Sequence, residues 1–170
     1  CGHVQAENTF VVDEGLPDVP RLGVQLRLPG EFEQLSWYGP GPMETYCDRK
    51  AGAPVGLYKS TVTDQYVPYI LPQEHGNHED LRWLRLVNAS GQGLLVRGHG
   101  RLSGSASHLR TEDLIKARHP FGLTPRREVL LNLDYRQRGL GTASCGPDTL
   151  PQYCIPAGTH HWTYWLVPES

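Results

Sequence analysis

Long apolar runs are missing from this sequence: none exceeds a few residues, so it offers no transmembrane helix. An excess of either charge is missing too. Sixteen basic and eighteen acidic residues leave a formal net charge of −2, which argues against nucleic acid as the main partner. There is no C-x-x-C pair, and the four cysteines (Cys1, Cys47, Cys145 and Cys154) match no zinc spacing. Cys145 and Cys154 are near enough to bridge one loop, but geometry decides that and spacing does not. A chain of 170 residues buries roughly 70% of its unfolded surface. It needs no disulfide, so the expectation is reduced thiols in a cytoplasmic protein. No secretory leader is legible, and a start at Cys1 fits a processed or cut product.

The motifs of nucleophilic catalysis are equally absent. There is no G-x-S-x-G elbow, and Ser144-Cys145-Gly146-Pro147 has no neighbouring His to act as its base. Gly139-Leu140-Gly141 leads into a loop, whereas a phosphate loop would open a helix. His75-Gly76-Asn77-His78, flanked by Glu74 and Glu79, has a chelating spacing, but most loop histidines are simply solvated, and no metal site is assigned. His160 and His161 fall on opposite faces of a strand and cannot share a ligand. Glu44, Asp48, Glu74 and Asp134 are candidates for the carboxylate pair of sugar hydrolysis, which stands ~5–10 Å apart. Asp48 with Arg49, and Glu74 with Arg82, read instead as ion pairs that fix loops. No catalytic residue is assigned.

What the sequence does have is turn residues, 19 Gly and 14 Pro, set between short apolar runs. Several runs alternate with period two, the mark of half-buried strands. Leu22, Val24, Leu26 and Leu28 oppose Gln25 and Arg27; Val129, Leu131, Leu133 and Tyr135 oppose Asn132 and Asp134. Gly93 to Leu102 reads as another strand, with Leu94, Val96 and Leu102 against Arg97, His99 and Arg101. In the run His160 to Val167 both faces are apolar, which predicts a strand internal to a sandwich. One helix is expected, N-capped by Thr111, with Glu112 and Asp113 in its first turn and Pro120 ending it. Residues 39–56 and 68–78 are Gly/Pro-rich connections longer than hairpin loops, and such loops usually have a functional or interface reason. Trp37, Tyr38, Tyr46, Tyr66, Tyr69 and Trp83 gather around them as loop anchors or sugar-stacking faces. The class is mainly β, antiparallel, with residues 1–170 as one domain.

Trp37-Tyr38-Gly39-Pro40-Gly41-Pro42-Met43-Glu44-Thr45-Tyr46-Cys47-Asp48-Arg49 resembles the W-x-G-x-G-P-x-E-x-Y-x-D-R signature of large bacterial β-galactosidases. These belong to glycoside hydrolase family 2, and the resemblance is to their C-terminal, small-chain domain. Tyr66 to Asn77 is similar to that family's Y-x-x-P-x-E-x-G loop. Ser105-Ala106-Ser107, Glu112-Asp113-Leu114 and Arg118-His119 follow in the family's order, as do Leu131 to Asp134, Gly139 to Gly141 and Ser144 to Pro147. The likeness runs over residues 16–168.

The resemblance implies an antiparallel β super-sandwich like that of galactose mutarotase, of which this chain is the C-terminal portion, lacking the first strands. A sheet edge left open in this way would invite strand addition or aggregation unless residues 1–20 fold over it. The resemblance also places the catalytic glutamates, magnesium and sodium on a (β/α)₈ barrel, which needs about 200 residues or more and does not fit here. The fragment itself then carries no cofactor and does not hydrolyse glycosides. Its expected partners are the catalytic barrel of the same polypeptide and, through one loop, the β-galactoside substrate; the full enzyme is expected to be a homo-oligomer. The loop residues implied are Ser144, Cys145 and Gly146, with Cys145 standing where well-known members carry a stacking tryptophan. Cys47 stands where relatives often have proline. Trp37, Glu44, Tyr46, Asp48 and Arg49 are expected to hold the signature loop in place. The rival readings are a stand-alone carbohydrate-binding module, a mutarotase-like epimerase using His119 or His161 with a Glu, and a purely structural piece.

Overall fold

The computed structural model describes residues 2–142 and 146–170. Nine antiparallel strands form two sheets: β1 (Val4–Val12), β2 (Arg21–Leu28), β3 (Gln34–Pro40), β4 (Val55–Thr61), β5 (Trp83–Val87), β6 (Gly93–Gly98), β7 (Ser103–Ser107), β8 (Val129–Gln137) and β9 (Gly158–Glu169). The six-stranded sheet has the order β1-β9-β6-β5-β3-β4, and the three-stranded sheet the order β2-β8-β7. Alternation explains how they close. Leu35, Trp37, Leu84, Leu86, Val96, Trp162 and Tyr164 of the larger sheet meet Val129, Leu131, Leu133 and Ala106 of the smaller across one core. Each sheet therefore presents one apolar face to the other, the sandwich expected from period-two patterning.

Three expectations are corrected. Residues 93–102 are not one strand: β6 ends at Gly98, the chain turns through Gly100 at φ +86°, and β7 begins in the other sheet. A left-handed turn favours glycine, and the apparent alternation across it was two strands read as one. The helix α1 spans Thr111–Lys116, and its N-cap is Arg110, whose backbone N–H donates to Asp113 Oδ2 at 3.1 Å. Pro120 opens a separate 3-10 turn. Finally, β9 is internal to its sheet, between β1 and β6. Its second face, with Trp165 and Val167, is only half-buried, because no further layer among the described residues covers it.

Residues 1–20 add no strand to the smaller sheet, although Val12 and Val19 pack on Leu22 of β2. They supply β1, which runs the length of β9 from Val4 opposite Leu166 to Val12 opposite Gly158. The edge strand β7 is met by the second long connection, through a bridge in which His78 and Gly104 exchange backbone hydrogen bonds at 2.9 and 3.0 Å. The outer edge of β2 has no ladder partner among the described residues.

Candidate functional site

The two long connections zip together at one end of the sandwich. Thr45 N–H donates to Asn77 O at 2.7 Å, Asn77 Nδ2 donates to Thr45 O at 3.0 Å, and Glu79 N–H donates to Thr45 Oγ1 at 2.8 Å. Glu44 closes the seam by accepting from the Tyr69 hydroxyl and, at 2.7 Å, from the Gly76 N–H. Trp37 is the anchor below. Its ring stacks on Tyr58, lies 4.0 Å from His78 centroid to centroid, and donates Nε1–H to Pro40 O at 3.0 Å. Trp37 and Tyr46 are each 1% exposed, so they act as loop anchors and present no sugar platform. Trp83 is half-buried, while Tyr38 and Tyr66 stay exposed, Tyr38 with Arg82 above its ring at 5.1 Å.

Neither expected ion pair forms. Asp48 does not pair with Arg49; both reach into the connection between β8 and β9. Asp48 accepts from Leu140 N–H at 3.1 Å, Gly141 N–H at 2.8 Å and Thr149 Oγ1 at 3.1 Å, while Arg49 Nη2 donates to Gly141 O at 2.5 Å. Burial opposes ionisation of Asp48, but the backbone donors prevail and hold its carboxyl below the usual range. Next to these stems, the Thr142 N–H and Oγ1 both donate to Pro147 O, at 3.1 and 3.0 Å. Of the expected substrate-loop residues, Gly146 is exposed; Ser144 and Cys145 lie outside the described residues. Asp48 and Arg49 thus fasten the described segments on either side, at Leu140–Gly141 and at Thr149. Three backbone groups in a stem are satisfied by two residues more than ninety positions earlier, an arrangement that local sequence reasoning could not reveal.

Glu74 pairs with Arg21 at 3.5 Å and not with Arg82, because the loop folds it toward the start of β2. Arg21 also forks onto Asp134, with Nε at 3.1 Å from Oδ1 and Nη2 on Oδ2. Gln137 Nε2 donates to Asp134 Oδ2 at 2.9 Å and to Asn77 Oδ1 at 3.0 Å, tying the pair into the zipped loops. Asp134 is 1% exposed, although it lies on the polar side of β8. Gly23, opposite Asp134 in the ladder, makes room: a Cβ there would strike the Asp134 carboxylate. A bulge at Leu22/Gly23 brings Arg21 over that carboxylate. Arg21, Gln137 and Asn77 were not singled out from sequence, and Asp134 was considered only as a hydrolytic carboxylate.

Burial governs the titratable groups. It pushes Glu79 up to about 7 and Tyr46 well above its ordinary value, drives His78 down to about 4, and raises Glu74. The Tyr46 hydroxyl has no hydrogen-bond partner among the described residues. His75 and His78 do not converge: His75 Nδ1 bonds Gln73 O at 2.8 Å, and His78 Nε2 bonds Gln65 Oε1 at 2.7 Å. His119 and His161 are both exposed; His119 stacks on Phe121, and His161 bonds Thr9. No group of three metal-ligating side chains assembles among the described residues. Cys47 and Cys154 are free thiols, and burial raises Cys47 to about 11. Such a thiol is a poor nucleophile at neutral pH.

Comparison with known proteins fits this arrangement. Residues 2–166 match the family described as the beta galactosidase small chain. The chain is 33% identical over 169 residues to a beta-galactosidase of Priestia megaterium, covering 98% of this chain and 16% of the relative. It is 41% identical over 146 residues to beta-galactosidase BgaC of Bifidobacterium adolescentis, covering 84% of this chain and 14% of the relative. A beta-galactosidase of Vibrio cholerae is 39% identical over 141 residues, covering 83% of this chain and 13% of the relative. The chain therefore spans about one sixth or less of the length of these relatives, and on the match over nearly all its residues it belongs to the beta-galactosidase small chain family.

Proposed function

We propose that this chain is the non-catalytic C-terminal β-sandwich of a family 2 β-galactosidase, a retaining enzyme that hydrolyses terminal β-D-galactosides of the lactose type. It packs on the catalytic barrel of the same polypeptide and lends the loop of Ser144, Cys145 and Gly146 to the border of the galactoside site. The fastening of that loop by Asp48 and Arg49 carries this reading. Stems with nothing to position gain little from four long-range hydrogen bonds to the signature loop, whereas a loop that meets a substrate must be held still. The acid, base and nucleophile belong to the barrel, as do magnesium and sodium, so this chain's residues position and do not cleave. A cytoplasmic location and homo-oligomeric assembly are part of the same reading.

The test is Asp48→Ala in the full-length polypeptide. The expected result is a rise in KM for galactosides of roughly threefold or more, with a smaller change in kcat. Unaltered kinetics in a variant with released loop stems would overturn the reading. The isolated chain should neither hydrolyse lactose nor speed the mutarotation of α-galactose. Acceleration abolished by substituting His119 or His161 would replace this reading with the epimerase.

A further inference from the structure

A groove of about 760 Å³ opens where the signature loop leaves the six-stranded sheet. Pro40 and Val55 line it from the ends of β3 and β4, Asp80 and Arg82 from the entry to β5, and Arg101 from the turn between β6 and β7. Lys50 of the signature loop lines it as well. Its charges do not balance. Lys50 is engaged by Asp80 at 2.5 Å, but Arg82 and Arg101 make no ion pair among the described residues. Arg82, expected from sequence to meet Glu74, lies instead over the Tyr38 ring at 5.1 Å and reaches only Asp80 O, at 3.4 Å. Arg101 is exposed, and its backbone is fixed: it follows Gly100 at φ +86°, and its carbonyl accepts from Trp162 Nε1 at 3.0 Å. A chain of formal net charge −2 thus sets three cations against one carboxylate in a single groove.

Apolar surface lies beside these cations, with Val55 52% and Tyr38 41% exposed. Arginine and tyrosine next to uncovered apolar area is the composition of a docking face. A second copy of the chain does not suit it, because a two-fold contact would bring the same arginines face to face. A surface that carries carboxylates does. Position identifies which one. Lys50 directly follows Asp48 and Arg49, which hold Leu140, Gly141 and Thr149. The groove and the fastened loop therefore share one segment, and an orientation that turns the loop toward the barrel turns the groove toward it too. We infer that a carboxylate-bearing stretch of the catalytic barrel of the same polypeptide docks in this groove, pairing Asp or Glu side chains with Arg82 and Arg101 and covering Tyr38 and Val55. This docking rests on the reading of the chain as the sandwich of a longer β-galactosidase.

The experiment uses the full-length polypeptide carrying Arg82→Lys and Arg101→Lys, treated with a carbodiimide that joins amines to carboxylates in contact. Peptide mass spectrometry then locates the amides. The expected product links position 82 or 101 to an Asp or Glu of the barrel, with the Lys50–Asp80 amide as the internal control. The control amide without any link to the barrel would overturn the docking. So would links to a second copy, recognised by mixing isotopically light and heavy protein. Arg82→Glu with Arg101→Glu supplies a second readout, and both side chains are exposed, so the fold is not at risk. Hydroxyl-radical labelling of Tyr38, referred to Tyr66 in the same chain, should rise several-fold in this variant; unchanged labelling counts against the docking. The kinetics of Asp48→Ala test the loop, whereas these measurements test the groove, so either can fail while the other holds.

Discussion

The two sheets of this sandwich share a core but differ on their outer faces. The outer face of the six-stranded sheet is ordinary, with Lys59 and Leu57 exposed on β4, and Trp165 half-covered on β9. On the three-stranded sheet the outer face is polar in composition yet largely roofed. Asp134 and Ser105 are 1% and 3% exposed, and Leu130 beside them is fully buried. The His75–Glu79 stretch and Gln137 close the Asp134 end of that face, and α1 stands at the other. Alternation reports which side of a strand is polar. It does not report whether that side meets water or a second layer of polar groups, and the energetic consequences are opposite.

That contrast can be broken most directly at Asp134. If its face is roofed, Asp134→Ala leaves Arg21 with Glu74 alone and Gln137 with Asn77 alone, empties the centre of the network and costs about 3 kcal/mol. That is comparable to Leu131→Ala on the core side of the same strand at about 2–5 kcal/mol. Chemical denaturation of the two variants side by side measures this, and a loss at Asp134 below about 0.5 kcal/mol would mean the face is solvated. Gly23→Ala comes next. The new methyl group displaces the Asp134 carboxylate from β2, and about 1–3 kcal/mol is expected for such overpacking, with Arg21 released along with it. The smallest effect is Lys59→Ala, within about 0.5 kcal/mol, because its side chain is exposed and makes no hydrogen bond or ion pair among the described residues.

The roof also sets a pH signature. Glu79, held near 7 by burial, favours the folded state below its ordinary value of 4.5; that contribution is lost as pH rises through about 7. His78, held near 4, contributes above its ordinary value of 6.5 and loses that as pH falls through about 4. The two slopes oppose one another between about 4.5 and 6.5, so stability should be nearly flat there. Glu79→Gln should unmask the histidine limb, giving stability that climbs with pH over that window by on the order of 2 kcal/mol. Thermal melts across pH 4–8 would expose the idea as wrong if the variant stayed flat.

Legibility followed the range of the interactions. The strands of Leu22–Leu28 and Val129–Tyr135 were readable because a period-two pattern is local, and the long connections because Gly and Pro act on their own backbones. The 93–102 segment misled for the same reason: Gly98 and Gly100 sit inside an alternation that carries on after the chain has changed sheets. Glu44, Tyr46, Asp48 and Arg49 were legible as a signature that holds a loop, but their partners were not. Gly76, Leu140, Gly141 and Thr149 are reached by hydrogen bonds spanning 32 to 101 residues.

The sequence alone settled the class and the family. Both rest on residue order: the alternation that makes strands, and a run of thirteen residues from Trp37 to Arg49 that resembles one family's signature. Only the tertiary structure decided which carboxylate meets which partner. Asp48 turned from Arg49 to Leu140, Gly141 and Thr149, Glu74 went to Arg21 in place of Arg82, and Asp134 passed from a candidate hydrolytic carboxylate to the centre of a buried network. The physical reason is that charges pair by distance in the closed sandwich, where burial makes every unpaired polar group costly, and that distance is set by the packing of two sheets and three loops.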